Sequence, residues 1–231
     1  MDFETITYAV DGHIAFLTLD RPEAAARCYR RAVGLDPRCF PALHGLREMA
    51  VAAGQWPAVL DALAREAELW DEPRERAAIY ARMAEVMERH LNDRPRAMAE
   101  HRRAVATYPA CLPSLQALAD DAIARRAWDE AAPWLQVLTA QNLDRWSKAQ
   151  RAHVLIQRGQ VALRLSRRLE AAECMRLALD LAPEDTQALE VLVALGPLIE
   201  GPELDELLSR IARIEQGATD DARRAQCAVW R

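Results

Sequence analysis

The sequence predicts a mainly α protein, an antiparallel helix-pair solenoid preceded by a β-hairpin. Three observations carry that prediction. Pro37, Pro73 and Pro109 are spaced 36 residues apart and Pro183 lies 74 further on, so a unit of about thirty-six residues recurs along the chain. Alanine supplies 45 of the 231 residues, the composition of helices that approach one another closely. Period-two alternation, the signature of strands, is confined to residues 3 to 19.

The hairpin comes first. Phe3 to Val10 and His13 to Leu19 are rich in β-branched and aromatic residues, and Asp11-Gly12 between them suits a two-residue turn. That turn pairs Val10 with His13, Tyr8 with Ala15 and Ile6 with Leu17, placing Ile6, Tyr8, Val10, Leu17 and Leu19 on one apolar face. Such a face needs a cover, because a lone two-stranded hairpin is marginal in water. The cover is an Ala-rich helix of the same chain or the strand edge of another copy.

From residue 21 onward the grammar is helix, short polar turn, bulky residue such as Trp56 or Trp128, second helix, then an acidic or polar residue near proline. Residues 27–37 read as a second helix and its exit at Asp36-Pro37. Ala42, Leu43 and Leu46 begin a first helix that turns at Gly54-Gln55-Trp56. Tyr80, Met83, Ala84 and Met87 form the apolar face of the next unit, which Ala97, Ala104 and Pro109 close. Leu115, Leu118, Ala122 and Trp128 to Ala131 give a further unit, and Leu155, Gly159, Ala162, Ala171, Ala178 and Pro183 another. A longer loop is expected around 141–148, where the punctuating proline is missing, and Arg158 occupies a position expected to be apolar. Leu189 and Leu192 begin a first helix that Gly196-Pro197 cuts short. Beyond Pro202, the stripe of Leu204, Leu207, Leu208, Ile211 and Ile214 reads as an amphipathic terminal cap. The expected organisation is thus a hairpin at 1–20, helical repeats at 21–200 and a capping helix with a tail at 201–231.

In these helix pairs the chain resembles the tetratricopeptide repeat family over about residues 21–200, which implies a superhelix whose concave face is lined by first helices. A second resemblance is local. Phe3 to Ile6, Val10-Asp11-Gly12 and Ile14 to Leu19, followed by Arg21-Pro22-Glu23-Ala24, are similar to the opening strands of the crotonase (enoyl-CoA hydratase/isomerase) family. That resemblance implies an acyl-CoA-handling enzyme or subunit as an alternative function. The family's chemistry depends on a backbone oxyanion hole built partly by a glycine-rich segment. No two glycines are adjacent in this chain, and Asp20 stands where asparagine is usual before Arg-Pro.

Charge and motif content exclude several classes. Net charge is −5, with arginines interspersed among carboxylates, which argues against a nucleic-acid footprint. The five cysteines, Cys28, Cys39, Cys111, Cys174 and Cys227, are odd in number and never paired as C-x-x-C, and are expected as buried thiols in a reducing compartment. The N-terminus lacks a basic n-region, and the longest apolar run, Val191 to Ile199, is too short to span a bilayer. The expectation is a cytoplasmic chain with no membrane partner. The histidines show no metal spacing and no P-loop or G-x-S-x-G occurs, so neither metal nor cofactor is expected and no residue is assigned a catalytic role.

What remains is a non-catalytic surface that binds a protein or peptide. The register implied by the repeat resemblance places His44, Glu48, Glu85, Arg89, Gln116, Asp120, His153 and Gln160 on the concave face. Glu48, Glu85 and Asp120 there favour a neutral or basic segment. The hairpin edge offers a further alternative, self-assembly into a homo-oligomer.

Overall fold

In the computed structural model, residues 23–141 and 146–195 are described throughout, together with the backbone at 6–11, 14–19 and 22 and the single positions Ser209 and Ile211. The expected turn residue Gly12, the centre of the 141–148 loop, the Gly196-Pro197 break and most of the capping stripe lie outside them.

Strands β1 (Ile6–Asp11) and β2 (Ile14–Leu19) pair antiparallel, with Asp11 opposite Ile14 and Ile6 opposite Leu19. Val10 thus faces Ala15 and not His13, a register two residues from the expected one. Side chains alternate with a period of two, so a slide of two leaves the apolar pattern intact, and pattern alone cannot tell the two registers apart.

Ten helices follow. α1 (Pro22–Leu35), α2 (Phe40–Ala52), α3 (Trp56–Leu69), α4 (Pro73–Leu91) and α5 (Arg94–Thr107) belong to one compact unit, Met1–Cys111. α6 (Leu112–Ala124), α7 (Trp128–Thr139), α8 (Lys148–Arg164), α9 (Arg168–Leu181) and α10 (Thr186–Ala194) belong to a second, Leu112–Arg231. Within each unit, consecutive helices joined by short turns pack side by side, so they run antiparallel.

The turn inside each helix pair explains the spacing. Gly54, Asn92, Arg126 and Ser166 all adopt left-handed backbone, with φ of 65°, 51°, 57° and 61°. Each sits between a first helix and a second, so one residue of positive φ reverses the chain four times. Helix starts are built from the sequence as well. Pro73 lies in the first turn of α4, where its missing N–H costs nothing. Asp93 and Asp185 cap α5 and α10 by accepting from the backbone N–H of Arg96 and Ala188. Ser147 and Gln150 form a reciprocal capping box at α8, which restarts the helical pattern after the long segment 140–147.

Alanine sits where helices touch. Ala84, Ala104, Ala131, Ala162, Ala171 and Ala178 are buried, while Ala32 is only partly covered. The first unit packs Val59, Leu63, Tyr80 and Met83 into one cluster. The second packs Ile156, Met175, Leu179, Leu189 and Leu192, joined by Ile211 from the expected capping stripe. Gly159 lets α8 and α9 approach: a Cβ there would stand 2.5 Å from Met175 Cε and 3.1 Å from Cys174 Cβ. Arg158, expected to disturb an apolar position, is half-buried in a polar cluster, donating to Glu170 at 2.8 and 3.0 Å and to the Thr139 hydroxyl at 2.8 Å.

Candidate functional site

First helices carry the candidate surface. In the first unit, His44 and Glu48 on α2 come together with Glu85 and Arg89 on α4 in a groove of about 520 Å³. The geometry follows from helical spacing, since residues three and four apart share a face. The same spacing brings in Arg47, Val51, Arg82 and Val86, and α3 contributes Trp56 and Val59 from below.

The groove rests on a buried ion pair. Arg47 is 6% exposed and donates through Nη1 to Glu66 Oε2 at 2.5 Å, with Glu66 itself 1% exposed. Its Nη2 reaches His44 Nδ1 at 2.7 Å and Glu48 Oε1 at 3.2 Å, so the guanidinium is held from beneath and from both sides. Burial pushes the Glu66 carboxyl above the usual carboxylate range, against the opposing pull of Arg47. Glu66 Oε1 is buried with no hydrogen-bond partner.

Aromatic rings mark the two ends of α2. At its C-terminal end Trp56 and His90 stack, with ring centroids 3.5 Å apart and planes 8° from parallel. At its N-terminal end Phe40 stacks with His44 at 6.3 Å and meets Trp70 edge-on at 5.5 Å, both Phe40 and Trp70 being exposed. Trp56, read from sequence as a packing residue, packs on the core and also lines the groove.

The groove is not acidic. Glu48 and Glu85 share it with Arg47, Arg82 and Arg89, so the reasoning that favoured a neutral or basic segment loses its basis in this unit. Arg89 pairs with Glu85 at 2.9 Å, and Arg82 has no ion pair among the described residues.

In the second unit, Gln116 and Asp120 on α6 are joined by Gln157 of α8, which donates to Asp120 Oδ1 at 2.9 Å. Gln116 donates to the same carboxylate at 3.2 and 3.3 Å, making an exposed anion held by two neutral amides. His153 and Gln160 are exposed on α8 and do not join this network. Sequence reasoning missed Gln157, although it lies four residues from His153 on the same helix.

A second groove of the first unit, about 890 Å³, lies among α1, α2 and α3. Leu43, Leu46 and Met49 floor it, and Glu23, Arg27, Arg30, Asp61 and Arg65 rim it. It is the larger of the two and also carries three arginines, but it holds no aromatic side chain, and Trp and Tyr are among the residues on which binding energy concentrates.

Among the described residues no cluster of three His, Cys, Asp or Glu side chains could hold a metal ion, and no helix is long and apolar enough to cross a membrane. The cysteines differ from expectation. Cys111 and Cys174 are buried, Cys39 is partly covered and Cys28 is exposed on α1, while Cys227 lies outside the described residues. Burial pushes the Cys174 thiol up to about 11.

Residues 12–39 and 152–185 match a family model of the tetratricopeptide repeat. The first stretch begins within the hairpin segment and runs through α1. No curated protein matches the chain. Among solved structures, a double mutant of MamA RS-1 is 15% identical over 85% of this chain and 98% of its own, with a TM-score of 0.50, which shows a shared helical-repeat fold. Residues 41 to the end of MamA from Desulfovibrio magneticus RS-1 align over the same shares at 15% identity and a TM-score of 0.48. YrrB, a TPR protein with an unusual peptide-binding site, is 19% identical over 73% of this chain and 82% of its own, with a TM-score of 0.48.

Proposed function

We propose that the protein is a non-catalytic binding module that takes up an extended peptide or protein segment along the α2–α4 groove of its first unit. The observation that carries this reading is the convergence of His44, Glu48, Glu85 and Arg89 with Arg82, Trp56 and three valines in one open groove. Aromatic and arginine side chains beside small apolar surface are the residue types on which interfaces concentrate their energy. The exposed faces of α6 and α8, with Gln116, Asp120, His153 and Gln160, are the corresponding surface of the second unit.

The experiment is selection of displayed random peptides on the full chain, followed by affinity measurement against two groove-filling variants. Val51 is 41% exposed, so Val51→Tyr obstructs the α2–α4 groove from an exposed position. Ala58→Tyr obstructs the α1–α3 groove in the same way. Selected peptides should lose at least about tenfold in affinity for Val51→Tyr and keep it for Ala58→Tyr, a tenfold change being about 1.4 kcal/mol. The opposite pattern would place binding on the other groove.

A further inference from the structure

The chemistry of the bound segment follows from which cations in the α2–α4 groove are already neutralised, and this inference rests on that groove being the binding surface. Two of the three arginines are committed. Arg47 is gripped by Glu66 beneath it and by Glu48 and His44 beside it. Arg89 is paired with Glu85 at 2.9 Å. Arg82 lines the same groove, is exposed, and has no ion pair among the described residues. Its charge also draws the buried Glu66 carboxyl down.

An exposed guanidinium with no ion pair, beside two that are paired, favours an anion. A carboxylate set against Arg82 gains charge-assisted hydrogen bonds, whereas a lysine in its place gains none and meets a like charge. Spacing along α4 adds a second requirement. His90 follows Arg82 by eight residues, about 12 Å of helix at about 1.5 Å per residue. An extended segment rising about 3.3 Å per residue covers that span in about four residues. Side chains four apart in an extended segment point to the same side. At the His90 end, Trp56 stacks on the imidazole at 3.5 Å and offers aromatic surface beside the Arg89–Glu85 pair, in a groove that Val51 and Val86 also line.

We propose that the segment bound in this groove carries an acidic side chain seated on Arg82 and, four residues away, an apolar side chain resting at Trp56 and His90.

The test uses synthetic heptapeptides, acetylated and amidated, in a Ser/Gly background with one Glu and one Phe four residues apart, in either order. Gln and Lys twins replace the Glu, and one further Gln twin keeps a free C-terminal carboxylate. Calorimetric titration of the full chain should show one order of the Glu peptide binding roughly tenfold more tightly than its Gln twin. Arg82→Gln should erase that difference, and Arg82→Glu should reverse it in favour of the Lys twin, a reversal that loss of folding cannot produce. Equal affinities for the Glu, Gln and Lys twins, a preference untouched by the Arg82 variants, stronger binding of the free-terminus twin, or binding by neither order would each overturn the proposal. If Val51→Tyr abolishes binding that shows no charge preference, the groove assignment stands and this inference fails. Binding unaffected by Val51→Tyr sinks both.

Discussion

Removing one partner of the Arg47–Glu66 pair at a time separates the groove's foundation from its surface. The Arg47 side chain is 8% exposed and that of Glu66 2%, with 2.5 Å between Nη1 and Oε2. Deleting one member of a buried pair strands the other and costs roughly 3–5 kcal/mol. The two single variants should differ, however. In Glu66→Leu the guanidinium keeps Glu48, which is 59% exposed, so the loss sits near about 3 kcal/mol at every pH where Glu48 is ionised. In Arg47→Met the stranded carboxyl escapes by taking up a proton, because burial already holds its pKa above the ordinary value of 4.5. With the folded pKa raised, the native state binds the extra proton, so stability is present at low pH and lost as pH rises through that pKa. Arg47→Met should therefore match the wild type closely near pH 4.5 and fall several kcal/mol below it at pH 7.5. At roughly 2–4 °C per kcal/mol for a chain of this size, the loss at pH 7.5 is about 6–20 °C in Tm. Far-UV circular dichroism melts at the two pH values read this directly. The double variant Arg47→Met with Glu66→Leu should regain at least about 2 kcal/mol over the sum of the singles, since an apolar pair of similar volume replaces a buried ionic one at little cost. An Arg47→Met deficit that is equal at both pH values, or singles that lose under about 1 kcal/mol, would refute the reasoning.

Three further outcomes are expected. His101 is buried, and burial lowers its pKa below 6.5 against a smaller opposing effect of Glu85. It therefore contributes stability above pH 6.5 that is lost as pH falls through the folded value, and His101→Gln should flatten that part of a urea-denaturation pH profile. Gly159→Val should cost about 1–3 kcal/mol in the same assay, because the added carbon meets Cys174 Cβ at 3.1 Å and the Ala171 carbonyl at 3.3 Å, neither of which can swing aside. Ser166→Gly, at φ 61°, should stabilise by about 1 kcal/mol or less by removing the left-handed strain on a residue with a Cβ.

Part of this architecture is legible in the sequence because it is local. Trp56 and Trp128 open second helices as the turn grammar requires, and Gly54 announces its reversal. Arg126 and Ser166 occupy the same left-handed position with side chains that give no such signal. The hairpin register escapes for a different reason, since a two-residue slide is invisible to period-two alternation. His44, Glu48, Glu85 and Arg89 share a groove because helical spacing is itself a sequence property. Arg82, three residues before Glu85, falls on the same face by the same spacing. The Arg47–Glu66 pair was not readable, because nineteen residues and a helix reversal separate partners that meet only after α2 and α3 pack. The groove reads as acidic in sequence from Glu48, Glu85 and Asp120, and carries three arginines against two glutamates in the fold of the first unit.

The central claim is that the α2–α4 face of the first unit is where a segment binds. Chemical-shift mapping of the isotope-labelled full chain, titrated with a peptide selected on the wild type, tests it most directly. The account predicts the largest perturbations at the amides and side chains of His44, Val51, Arg82, Glu85 and Arg89 and at the Trp56 indole. Perturbations centred on Glu23, Arg27, Asp61 and Arg65, with the α2–α4 face silent, would contradict it.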